Sequence, residues 1–415
     1  MGGAALLPLI AQIGQRDGGP VVAVLENFGI LEPVSVTIAL ALAAGALVVD
    51  RVWGASIGCD PGRIFLLRRG AASRLAGRPW RGACLTVVLQ GEHSGGASPL
   101  HNGRSAMLRN VLLRASQSEW LEERLPRLWF TRAAVRRFIP GEDLDAALAA
   151  AGALGERGIA TVLTALGENV EKAEEADAVA DHYVEVLDRV ARSRLAAEIS
   201  VKLTQLGLDL GTDATAERLE RLAREGEARG IGVWIDMESS EYTDRTLELY
   251  RAVRARHANV GVCLQANLLR TSRDMEMLLE NDAAIRLVKG AYREPPSRAF
   301  QSRRDIDKNY LRLADRLLRE KAQHGDGLRI VFGTHDVPLV RRITEMARLL
   351  GVSKDAFEVH MLYGIRTVDQ ERLATAGYRL RVLISYGSAW YPWFMRRLAE
   401  RPANLVLVAR NLVPV

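Results

Sequence analysis

IATVLTA (159–165), EISVKLTQ (198–205), GVWIDME (232–238) and VGVCLQA (260–266) are short β-branched runs, each followed by a longer amphipathic, charge-rich stretch. The alternation continues through IRLVKGA (285–291), RIVFGTH (329–335), FEVHML (357–362) and RVLISYG (381–387). Strands joined by helices run parallel, because a helical crossover carries the chain back to the end of the sheet where the last strand began. Eight such units close a parallel sheet into a barrel. The expected fold class is therefore α/β: a (βα)8 TIM-like barrel over 158–405, with N-terminal helices and the last helix packed at the barrel mouth. Most of these runs carry a polar or ionisable residue at or near their C-terminal end: Lys202, Asp236, Gln265, Lys289, His335 and His360. In barrels of this kind the C-terminal ends of the strands form the active-site face. An isolated buried charge is costly unless it is paired or meets a ligand, so converging polar ends mark a site.

The rest of the chain has a different texture. Residues 1–106 show weak periodicity, and GRIFLLRRGAASRLAGRPWRG and GEHSGGASPLHNGR read as loop or low-complexity sequence. This part is expected to be an extension of uncertain structure, outside the native start or loosely membrane-associated. A helical arm is expected over 107–157, with a periodic run over Glu119–Phe138, and a short tail over 406–415. Residues 1–140 hold sixteen arginines, no lysine and nine acids, while the remainder is nearly neutral. A nucleic-acid surface would have to lie in that first part. It carries no zinc-finger spacing or RNA-binding motif, so no nucleic-acid partner is expected. Cys59, Cys84 and Cys263 form no CxxC pair, and their odd count and wide spacing argue against a disulfide framework or a structural zinc site and fit a reducing cytoplasm. The uncharged run PVSVTIALALAAGALVV (33–49) is at the lower limit for spanning a bilayer, and reads equally as a buried helix or as a segment with no stable structure.

SVKLTQLGLDLG, WIDMESSEYTDRTLELY, VCLQANLLRT, RLVKGAYREP, FGTH and SYGSAWYPWFMRRLAERPANL occur in this order between 200 and 405. Together they resemble the proline dehydrogenase family. The resemblance implies oxidation of L-proline to Δ1-pyrroline-5-carboxylate, with hydride transfer to non-covalent FAD and electrons passed on to a membrane quinone. It implies a separate pyrroline-5-carboxylate dehydrogenase acting next, and a cytoplasmic protein peripheral to the inner face of the plasma membrane. No GxGxxG precedes a helix, since GIGVWI at Gly230 leads into a strand, so the barrel itself must hold the flavin.

The implied roles fall on particular residues. Arg396 and Arg397 are expected in a C-terminal helix with Glu400 within one turn, and adjacent guanidinium groups suit the substrate carboxylate. Lys202 is expected at the substrate, Asp236 as an ionised acidic residue of the catalytic site and Arg286 beside the reactive side of the flavin. Glu168, in LGENV, matches a glutamate that gates the site by pairing with the first arginine. Tyr292, Leu362 and Leu383 are expected to line the substrate pocket. Met237, Gln265, Lys289, Gly290, Ala291, Thr334 and His335 match cofactor contacts. No metal site is expected.

Two departures from the family pattern stand out. Leu383 occupies a place where a tyrosine is common, and His360 one where glutamine is common. Two rival readings remain open at this level: a Schiff-base aldolase or transaldolase using Lys202 or Lys289, and a non-catalytic proline- or flavin-binding homologue.

Leu383 yields a specificity expectation. An apolar wall rejects an added hydroxyl only weakly, by about a hundredfold at best. With leucine in place of tyrosine, trans-4-hydroxyproline should be used better, relative to proline, than by a Leu383→Tyr variant. The check is kcat/KM for both substrates in both proteins; a ratio that does not move toward proline in the variant removes Leu383 from the pocket wall.

Overall fold

The computed structural model describes residues 137–280, 282–292 and 294–390, together with 55–60, 63–68 and 87–88. The chain divides into two compact units, Glu122–Glu400 and a second formed by Met1–Leu121 with Arg401–Val415. In the second unit, strands Ala55–Asp60 and Arg63–Arg68 pair antiparallel, and Val87–Val88 adds to Arg63–Ile64. GRIFLLRRG, loop-like in composition, forms a strand over Arg63–Arg68 instead. Asp60 pairs with Arg63, so only Pro61 and Gly62 separate the two strands. Those are turn-forming residues, and they were the signal that composition masked.

The larger unit is the barrel. Helix α1 (Leu144–Gly155) precedes it, capped by the Asp143 carboxylate, which accepts the Ala146 N–H at 2.8 Å. The eight strands are β1 (Ala160–Ala165), β2 (Ala197–Val201), β3 (Val233–Ile235), β4 (Val260–Gln265), β5 (Ala284–Val288), β6 (Arg329–Gly333), β7 (Phe357–Leu362) and β8 (Arg379–Tyr386). They pair in parallel in sequence order, and β8 returns to β1, closing the barrel. The crossovers are α2 (Ala173–Arg192), α3 (Thr212–Glu227), α4 (Thr243–Arg254), α5 (Thr271–Leu279), α6 (Arg303–His324), α7 (Val337–Leu349) and α8 (Thr367–Thr375). All eight expected strands are present. The run expected to be helical over Glu119–Phe138 lies outside the described residues except for its last two, which form a turn. The apolar run 33–49 lies outside them too, and among the described residues no helix is long and apolar enough to cross a membrane.

Because side chains alternate across each strand, the described residues of the barrel fall into a larger and a smaller apolar cluster. The larger fills the layer between strands and helices, with Ile199, Val201, Val233, Ile235, Val262, Leu264, Ile285 and Leu287 facing the helices. Helix tyrosines tie this layer to strand backbone. Tyr183 Oη accepts the Ala165 N–H and donates to the Ser200 carbonyl, both at 3.0 Å. Tyr250 Oη accepts the Ala284 N–H at 3.0 Å, and Tyr310 Oη donates to the Leu287 carbonyl at 2.9 Å. Tyr386, at the end of β8, bonds His182 of α2 at 2.8 Å.

The lumen holds a smaller apolar cluster, Val162, Trp234, Ala284 and Val331, with Leu383 against it. Beneath lies a charge network of two buried glutamates and two half-buried arginines, drawn from the early residues of β2, β6, β7 and β8. Arg329 reaches Glu198 and Glu358 at 2.8 Å each, and Arg381 reaches Glu358 at 2.8 Å. Burial alone would raise the Glu198 carboxyl, but the charges of Arg381 and Arg329 outweigh it and hold the group below its usual value. At Glu358 burial is opposed by hydrogen bonds from His360 and Arg329, and the carboxyl is held far below the carboxylate range. His360 stands above, 3.4 Å from Glu358 and edge-on to Trp234.

Burial pushes the His360 imidazole down from 6.5 to about 4, against the hydrogen bond and charge of Glu358. Between those values the unfolded chain binds a proton at His360 that the native barrel does not, so stability is lost as pH falls from 6.5 toward 4. A His360→Gln variant should escape that loss, which amounts to about 3 kcal/mol. Denaturant unfolding of both proteins between pH 7 and 4 checks it; parallel curves would mean that His360 does not enter the fold uncharged.

Candidate active site

The strand C-termini bring most of the described candidate residues to one end of the barrel. Asp236 follows β3, its N–H bonded to the Val201 carbonyl at 2.8 Å, so the end of β2 fixes where the carboxylate leaves the sheet. Arg286, in the middle of β5, is 3% exposed and pairs with Asp236. It also donates to Ser200 Oγ at 2.8 Å, and its guanidinium carbon lies 4.9 Å from the centre of the Trp234 ring. That stacking suits a planar, weakly hydrated cation. Nη1 of Arg286 is buried without a hydrogen-bond partner. A buried donor left over costs free energy unless a ligand takes it, so this atom is the clearest mark of an unfilled role.

Lys202, 9% exposed, follows β2. Near it Glu238 is buried, accepting the Thr204 N–H at 3.1 Å and the Thr204 hydroxyl at 2.5 Å. Burial raises the Glu238 carboxyl, against those two bonds and the charge of Lys202. Gln265, at the end of β4, donates to the Glu238 carbonyl at 2.8 Å. Tyr292 donates to Glu168 Oε1 at 3.5 Å, which brings the loop after β1 to the segment after β5. Leu362 is register partner to Leu383, and both are partly buried.

The expected cofactor residues have varied surroundings. Lys289 is held between Asp307 at 2.5 Å and Asp336 at 3.1 Å. The Thr334 N–H donates to the His360 carbonyl at 3.0 Å, and its hydroxyl oxygen accepts the Asp336 N–H at 3.1 Å. His335 Nε2 accepts the Leu362 N–H at 3.4 Å. The Met237 side chain is buried with the larger apolar cluster, two residues beyond β3. Gly290 has φ +105°, and a Cβ there would lie 2.0 Å from Asn267 Oδ1, so the neighbour that demands glycine is an asparagine amide. Ala291 follows, partly buried. Arg396, Arg397 and Glu400 lie outside the described residues. Tyr386, which could have filled space beside Leu383, is committed to His182. Among the described residues no cluster of His, Cys, Asp or Glu could hold a metal ion.

Several residues of this constellation were not singled out from sequence: Ser200, Trp234, Glu238, Thr204, Asp307 and Asp336. A signal existed for the first two. Strand side chains two apart share a face, so Ser200 shares the lumen with Lys202, and Trp234 with Asp236.

A closed parallel barrel whose mouth gathers Lys202, Asp236, Arg286 and Gln265 defines a barrel enzyme with a charged site at the strand C-termini. Comparison with known proteins makes this specific. The family model described as proline dehydrogenase matches residues 147–410. Proline dehydrogenase 2 of Bacillus subtilis (strain 168) is 33% identical over 304 residues, covering 73% of this chain and 98% of that one. A proline dehydrogenase of Deinococcus radiodurans is 33% identical over 282 residues, covering 67% and 89%. The chain belongs to the proline dehydrogenase family, and its reaction class is proline oxidation. Among solved structures, proline utilization A of Bdellovibrio bacteriovorus, inactivated by N-propargylglycine, superposes with a TM-score of 0.63 at 23% identity. The match covers 73% of this chain and 38% of that longer protein, and it agrees on the barrel fold.

Proposed function

We propose that the chain oxidises L-proline to Δ1-pyrroline-5-carboxylate with a non-covalent FAD at the barrel mouth. Electrons then pass to a membrane quinone during peripheral association with the membrane, and a separate pyrroline-5-carboxylate dehydrogenase consumes the product. The observation that carries the reading is Arg286, buried and fixed by Asp236, Ser200 and Trp234, yet with Nη1 unpartnered. FAD, when bound, supplies the two-electron acceptor. Gln265, Lys289, Gly290, Ala291, Thr334 and His335 are the residues proposed to hold it, with Met237 beside them. Arg286 offers a fixed cation, the group that favours negative charge developing nearby. Asp236 keeps that guanidinium oriented and balances its charge.

On the substrate side, Arg396 and Arg397 would grip the proline carboxylate, supported by Glu400. Lys202, Glu168 and Tyr292 would border it, with Leu362 and Leu383 against the ring. The Schiff-base alternative asks for an amine in apolar surroundings. Lys289 instead lies within ion-pair distance of two carboxylates.

The purified protein should absorb between about 350 and 500 nm, bleach on anaerobic addition of proline, and release its chromophore on acid precipitation, as expected for a non-covalent flavin. A colourless protein that takes up no FAD would sink this reading. Arg396→Met or Arg397→Met should raise the proline KM by roughly 30- to 1000-fold with flavin content unchanged. Unaltered kinetics in both variants would place the carboxylate elsewhere.

A further inference from the structure

We propose that Thr204 is a positioning residue for the Glu168 carboxylate, stapling the loop after β1 to a frame formed by the ends of β2, β3 and β4. The functional half of this proposal rests on the reading of Glu168 as a substrate-side group.

Every polar atom of Thr204 is engaged. Its N–H and hydroxyl donate to the two oxygens of Glu238 at 3.1 and 2.5 Å. The same hydroxyl oxygen accepts the Asn169 N–H at 3.2 Å, and the Thr204 carbonyl accepts the Val170 N–H at 3.2 Å. Glu238 is anchored through its own carbonyl by Gln265 at 2.8 Å. Thr204 is fully buried and Glu238 is 3% exposed, so water does not compete for these bonds. The frame is therefore rigid, and the two amides hanging from it are those immediately after Glu168.

The other flank of Glu168 is held by the next residue along. Gln205 Nε2 donates to the Ala165 carbonyl at 3.4 Å and lies 3.0 Å from where a Cβ on Gly167 would stand. Asn169 itself has φ +53°, in the left-handed region that asparagine tolerates better than most residues but that still carries a cost. Its bond to Thr204 Oγ1 offsets that cost. The result places the Glu168 side chain at Tyr292 Oη, 3.5 Å away. Without the hydroxyl, the Asn169 N–H loses its acceptor, the left-handed turn relaxes, and the carboxylate is no longer presented to Tyr292. Stability alone would not require the staple to fall on the residue beside Glu168.

The test is steady-state proline oxidation with an artificial electron acceptor, combined with amide exchange. Thr204→Val keeps the side-chain shape and both backbone bonds; Thr204→Ser keeps the hydroxyl. Thr204→Val should raise the proline KM about 3- to 10-fold, the effect of one neutral hydrogen bond, with kcat altered less than about twofold and Thr204→Ser close to wild type. Exchange at the Asn169 and Val170 amides should quicken in Thr204→Val. In a Glu168→Ala background, Thr204→Val should add nothing, because the two residues act through one group. Should the valine variant not fold, Thr204→Ala is read in the same way. Additive effects in the double variant overturn the proposal. Unchanged exchange at both amides overturns the staple itself, whereas an unchanged KM in Glu168→Ala overturns only the substrate-side reading of Glu168.

Discussion

The guanidinium of Arg329, shared between Glu198 and Glu358 in the barrel lumen, is the contact on which the site depends. Its carbon lies 5.0 Å from the centre of the Trp234 ring, and Glu198 accepts the indole N–H at 2.8 Å. Trp234 is thus fixed at its polar edge and on its π surface before Arg286 meets it. A buried ion network of this kind is weak evidence for stability, since desolvation offsets much of the attraction. Removing one partner is a different matter, because it leaves a buried carboxylate with less of its charge balanced. The network therefore specifies geometry. It sets the indole plane, and the indole plane sets the guanidinium that Asp236 and Ser200 finish orienting.

The barrel divides its tasks by strand parity. Outward residues are nearly all aliphatic and meet helices whose tyrosines satisfy strand backbone groups. Inward residues are polar or charged near the start of the strands, apolar around Trp234, and polar again at the mouth. The middle layer separates two charged regions, with His360, held uncharged by burial, between Glu358 and the indole. At the mouth, strands hold one another through side chains: Arg286 on β5 reaches across the lumen to Ser200 on β2 and to Asp236 after β3, and Gln265 on β4 reaches the segment after β3.

The barrel was legible in sequence because eight β-branched runs, each followed by an amphipathic stretch, admit few other topologies. Strand-end residues such as Lys202, Asp236 and Gln265 were legible because ionisable and amide groups at the ends of apolar runs stand out. What lies two residues earlier was not. Ser200 and Trp234 look like ordinary strand residues until the parity of each strand is known, and that parity depends on register. Glu238 and Thr204 were hidden for another reason. Each sits just beyond a strand, where backbone turns and not periodicity decide which groups meet. Gly290 shows the same limit, because its need for glycine comes from Asn267, a residue of the preceding unit. The hairpin in the other unit was obscured by a composition that looked like loop.

The phenols that seal helices to strands have a spectroscopic consequence. Burial raises the ionisation of Tyr183, Tyr250, Tyr310 and Tyr386 above the ordinary phenol value. In the closed barrel these four stay protonated in alkali that would ionise an exposed phenol, and each becomes titratable when its own seam opens. Tyr183 and Tyr386 sit where β8, β1 and β2 meet α2, while Tyr250 and Tyr310 flank β5. An alkaline difference spectrum of the native protein thus serves as an intrinsic gauge of ring closure: ionisation arriving in two stages would separate the seam where the cylinder is joined from the wall opposite it.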